Sequence, residues 1–129
     1  VLADGVALSD PERAAFAGMQ AGWVAQQRSR LLNDVTISGR GRLVARFAEF
    51  TNEYPWRWRA QDVEAFTTTL RSDGAAHSTI RGYHHILGLF VAFVCDPRYG
   101  WGRGVRGALR LRTGIDLPRV EHRGACQRV

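Results

Sequence analysis

The run "STIRGYHHILGLFVAFVC", Ser78 to Cys95, constrains this chain more than any other stretch. Ile80, Tyr83, Leu87, Phe90 and Val94 recur at the spacing of one helix face. Ile86, Val91 and Phe93 add apolar surface elsewhere, so the second half of this helix is apolar around most of its circumference. Such a helix packs on several sides and belongs near the centre of a bundle. Ser78 is a candidate cap for it, and "DPRYGW" (Asp96 to Trp101) stops it.

Three helices precede it. "SDPE" (Ser9 to Glu12) has the spacing of a capping box and starts a first helix that runs to about Leu32. Phe16, Met19, Trp23 and Val24 mark its inner face. "NDVT" breaks it, and a second helix spans about Ile37 to Glu53, with Leu43, Phe47 and Phe50 inward. Pro55 in "YPWRW" prevents continuation, and Trp56 and Trp58 cover the core edge. A third helix covers about Ala60–Arg71, with Val63, Phe66 and Leu70 inward, and "SDGAAH" is turn chemistry. No segment alternates as a strand would, and no internal repeat is visible. The expectation is an all-α bundle of four or five helices.

The 18 basic residues, all arginine, outnumber 12 acidic ones; the net charge is +6 and the pI about 10.6. That balance points to a polyanionic partner, nucleic acid ahead of a membrane surface. The charge is uneven: from Asp96 onward eight arginines face three carboxylates, a local balance of +5. Glycines at 100, 102, 104 and 107 weaken any helix there, and Arg103, Arg106 and Arg110 would share a face of a short one. The domain reading is a lead-in over residues 1–9, one folded unit over 10–112 and a linker or tail over 113–129.

No signal peptide or bilayer-length apolar run is visible, so a cytoplasmic chain is expected, with no membrane partner. Cys95, at the end of an apolar run, reads as a buried free thiol; with Cys126 it makes neither a disulfide framework nor a metal-ligand set. The sequence has no HExxH, CxxC, P-loop or GxSxG pattern. His84 and His85 diverge by about 100° on a helix. Glu49, Glu53, Asp62 and Glu64 read as solvated faces or helix-start charges. Neither catalysis, a cofactor nor a small-molecule substrate is expected.

"TISGRGRLVARF" (Thr36 to Phe47) poses a conflict, because glycine costs roughly 1 kcal/mol in a helix interior. Cations near a helix N-terminus also oppose the macrodipole. The second helix begins with Thr36, Ser38, Arg40 and Arg42, and the fourth with Ser78, Thr79, Arg81, Gly82 and His85. Small residues let a backbone approach phosphate, and arginines and hydroxyls there reach base edges in a major groove. Both helix ends suit duplex DNA, with Arg103 as a further basic contact in the tail.

An ordered set of residues also resembles the N-terminal core-binding domain of tyrosine recombinases (phage integrases) over about residues 10–105. It comprises Trp23, Thr36-Ile37, Arg40, Phe47, Phe50, Pro55-Trp56, Asp62-Val63, Phe66, Leu70, Ser78-Thr79-Ile80-Arg81, Tyr83, Phe90, Phe93-Val94, Asp96 and Tyr99-Gly100-Trp101. The resemblance implies a SAM-like orthogonal bundle that clamps DNA through its second and fourth helices, with other recombinase protomers as further partners on the DNA. It puts Thr36, Ser38, Arg40, Arg42, Thr79, Arg81 and His85 on the DNA face. It puts Phe47, Phe50, Phe66, Leu70, Tyr83, Leu87 and Phe90 in the core. Arg59 departs from the family's small hydroxyl cap on the third helix. The catalytic half, with its two arginines, histidine, lysine and tyrosine, has no counterpart here, and Tyr54, Tyr83 and Tyr99 do not inherit the nucleophile's role. An all-α protein-interaction module is the alternative; an RNA-binding protein fits on charge alone, without a stacking motif.

Overall fold

The computed structural model describes residues 11–101, and they form a small all-α bundle. Helix α1 is Pro11–Ser29, α2 Asp34–Thr51, α3 Ala60–Ser72 and α4 His77–Cys95, with a 3₁₀ turn at Pro55–Arg57 between α2 and α3. Helix α4 touches all three other helices. Its side chains Ile80, Leu87, Phe90, Val91, Phe93 and Val94 are buried, as the near-continuous apolar surface requires.

Local chemistry sets the boundaries. Helix α1 ends in a Schellman motif: the Leu32 N–H donates to Gln27 O and the Leu31 N–H to Arg28 O, with Leu31 at φ 65°. Helix α3 ends the same way, with Gly74 at φ 88° and the Ala75 N–H donating to Leu70 O. That is the turn "SDGAAH" predicts. Helix α2 starts three residues earlier than its apolar pattern suggests. Asn33 is the cap, its Oδ1 accepting from the Thr36 N–H at 2.8 Å, and Asp34 adds a favourable negative charge in the first turn. Helix α4 also starts early, capped by the backbone at Ala76, so Ser78 lies inside the first turn and caps nothing. At α3 the guanidinium of Arg59 has no acceptor to offer the helix. Only the return half of a capping box forms, from Arg59 N–H to Asp62 Oδ2 at 2.8 Å.

The core is strongly aromatic. Phe47 meets Trp58 and Phe66 edge-on at 4.7 and 5.2 Å, and Phe90 meets Trp23 at 5.1 Å and Trp58 at 6.0 Å. Trp56 and Trp58 are buried in the core, not at its edge. Trp58 Nε1 donates to Glu53 O, whereas buried Trp56 Nε1 has no acceptor among the described residues. Phe50 departs from the expected core: it is 40% exposed, its ring leaning on Phe66 at 5.1 Å. Ile37, Leu43, Val44 and Phe47 form the buried face of α2, and position 50 falls at its margin. Tyr83 is half-buried against the core.

Three further expectations change or fall outside view. Cys95 is half-buried and disulfide-bonded, not a free thiol. Glu12 is buried and paired with Arg57 at 3.4 Å, while Ser9 lies outside the described residues. After α4, Arg98 grips Asp96 through its guanidinium and backbone N–H, which holds the Asp96 carboxyl below its ordinary range. No helix among the described residues is long and apolar enough to cross a membrane.

Candidate functional site

The first half of α2 lies beside the middle of α4, and between them runs an open groove of about 640 Å³. Arg40, Arg42 and Arg46 come from α2, and His85 from α4. Val35, Thr36, Gly39 and Leu43 complete the α2 wall, and Gly82, Tyr83 and Ile86 the α4 wall. Buried Leu43 and half-buried Tyr83 tie this lining to the core, so the groove stands on rigid elements.

Its electrostatics are one-sided. No carboxylate lines the groove, and none of the three arginines forms an ion pair among the described residues. Four arginines elsewhere in the bundle are paired, Arg28 with Asp34, Arg57 with Glu12 and Glu53, Arg59 with Asp62, and Arg98 with Asp96, whereas Arg30, Arg71 and Arg81 also form no ion pair among the described residues. Each groove arginine is held differently. Arg40 is half-buried and donates through Nη1 to Gln27 Oε1 at 3.2 Å. Arg42 is exposed, with Nη2 3.8 Å from where a side chain on Gly39 would begin. Arg46 lies over the Phe66 ring at 5.6 Å, a cation–π contact that leaves its N–H groups free.

Glycine keeps the groove wide. A Cβ on Gly82 would meet nothing within 4 Å, and one on Gly39 would meet only Arg42; Gly41 does not line the groove. The macrodipole conflict disappears, because Arg40 and Arg42 sit beyond the first turn of a helix that starts at Asp34. The glycine conflict remains.

Of the residues singled out in the sequence, Thr36, Arg40, Arg42 and His85 converge on this groove. Ser38 is exposed but does not line it, and neither does Thr79. Arg81 lines a separate hollow of about 210 Å³ with Arg71, His77 and Ile80. It sits one turn before His85 on α4, in the second turn and not the first, and it forms no ion pair with Asp73. Arg103 lies outside the described residues. The sequence reading missed Arg46, although its four-residue step from Arg42 marks the same face. His84 and His85 diverge as expected: His84 Nε2 sits 2.6 Å from Thr67 Oγ1, which itself donates to Val63 O, while His85 faces the groove.

Among the described residues no three His, Cys, Asp or Glu side chains gather as a metal centre requires. The arrangement can hold an extended anion by charge-assisted hydrogen bonds at several points. Comparison with family models, curated proteins and solved structures finds no match to this chain.

Proposed function

We propose that this chain is a duplex-DNA-binding module that seats the α2–α4 groove against the sugar-phosphate backbone and adjoining base edges. The observation that carries the reading is the groove's charge: three arginines and a histidine face one opening with no carboxylate to neutralise them. The chain's net charge of +6, to which these arginines contribute, agrees with it. The finer reading, from the sequence resemblance alone, is a core-binding domain of a tyrosine recombinase. In it, strand cleavage falls to a separate catalytic domain, and other protomers share the DNA.

Fluorescence anisotropy with a labelled duplex over a salt series tests the binding. Three arginine–phosphate contacts predict a slope of log K against log salt of about −2.7 or steeper. Affinity indifferent to salt, or absent at low salt, overturns the proposal.

The protein-interaction alternative has one observation in its favour: Leu31 and Val35, beside the α1–α2 turn, are 92% and 81% exposed. Two aliphatic side chains are far short of the buried core of a stable protein interface, so this reading ranks second.

Arg81 separates base reading from phosphate anchoring. It sits one turn before His85, beside Gly82, where nothing obstructs approach. An arginine fork on guanine is worth about 1–3 kcal/mol of discrimination, whereas a phosphate contact weakens all sequences alike. Arg81→Ala should therefore cost more affinity for a site selected from a random pool than for random duplex. Equal losses, in a variant with unchanged circular dichroism, assign Arg81 to phosphate.

A further inference from the structure

Gln27 and Glu12 are the two buried polar side chains among the described residues, and Gln27 is the uncharged one. It lies on α1, outside the groove, and is 3% exposed. Both ends of its amide are engaged: Nε2 donates to Trp23 O at 3.3 Å, and Oε1 accepts from Arg40 Nη1 at 3.2 Å. The first bond fixes the amide's orientation, so the oxygen is presented to the guanidinium. A neutral acceptor leaves the charge of Arg40 intact, and this bond occupies one of five guanidinium N–H donors. Arg40 lines the α2–α4 groove on one side. On the other it lines a cavity of about 280 Å³ between α1 and α4, shared with Arg30, the Asp96–Arg98 pair and Gln27 itself. A free arginine at that junction could turn to either side.

We infer that Gln27 is a positioning residue: it holds the Arg40 guanidinium at the groove, pre-ordered and fully charged, to receive a phosphate oxygen of duplex DNA. The inference rests on the DNA-binding reading. A carboxylate at position 27 would hold the side chain equally well but neutralise it, and an apolar side chain would leave it charged but loose. The amide does neither.

The two alternatives define the test, with anisotropy on random duplex across a salt series as the readout. Gln27→Glu should make the slope of log K against log salt shallower by about 0.9, the value for one lost phosphate contact. Arg40→Ala should do the same in the wild type and nothing further in the Gln27→Glu background. Gln27→Met keeps the charge, so the slope should hold while affinity falls about threefold to tenfold, the cost of ordering a long side chain on binding. If Gln27 merely packed, Gln27→Glu would change thermal stability and leave the slope alone. A wild-type protein without salt-dependent binding removes the DNA reading, and this inference with it. A wild type that binds, with Arg40→Ala shifting the slope and Gln27→Glu leaving it unchanged, overturns the role of Gln27 alone. Arg40→Ala with a wild-type slope overturns it as well, because no phosphate then meets Arg40.

Discussion

Replacing Phe90 by alanine should lower the unfolding free energy by about 3–5 kcal/mol, a large part of what a domain of this size possesses. The ring is fully buried and meets Trp23 from α1, Trp58 from the corner after the 3₁₀ turn and, at 6.5 Å, Phe16. Those neighbours are themselves large and rigid, so they cannot collapse into the space left behind. Urea unfolding followed by tryptophan fluorescence measures the loss, and an unchanged m-value assigns it to the native state. A loss below about 1.5 kcal/mol would mean the aromatic cluster repacks freely and α4 is not the pivot of the bundle.

The second large effect concerns the groove. Neutralising Arg42 and Arg46 together should weaken binding to random duplex about 60-fold near 0.1 M salt and make the salt slope shallower by about 1.8. Both follow from removing two phosphate contacts. A net-charge effect would look different, and Ala14→Glu with Ala21→Glu supplies the control. Those positions are exposed on α1 and do not line the groove, and the pair lowers net charge by the same amount. The control should bind nearly as the wild type does. Equal losses in both double variants would reduce the groove to one patch among many on a basic protein. Arg46→Ala also removes the contact with Phe66, so its stability must be measured alongside.

What could be read from the sequence follows from what periodicity encodes. Helix α4 was legible because an apolar surface wrapped around a helix has only one home. The Gly74 turn was legible because glycine at a positive φ is the commonest way to end a helix. The start of α2 was misjudged because Asn33 and Asp34 both resemble loop residues, and a cap and a break share that chemistry. Asn33 with the Thr36 amide three residues on was the available signal. Phe50 was assigned inward because an aromatic residue three after Phe47 suits a helix face, but α2 turns its Val44 side to the core instead. The depth of Trp56 and Trp58 depends on how the corner folds back over α2 and α3, which no local pattern carries.

The candidate site was half legible for a related reason. Hydroxyls and cations near helix starts point to Thr36, Arg40, Arg42 and His85, although the structure gathers them by a different rule, the shared wall of α2 and α4. Arg46 lies too far along the helix for the first rule and fits the second. The partnership of Arg40 with Gln27 spans two helices and has no sequence signature at all.

The open glycines of the groove set helix stability against access to the backbone. Alanine fits sterically at Gly82 and, beside the movable guanidinium of Arg42, at Gly39, and each exchange would gain the fold roughly 0.5–1 kcal/mol. Glycine on the two facing walls of one opening leaves the backbone there bare, so a phosphate of the proposed DNA partner could come as close to the helices as the main chain itself permits.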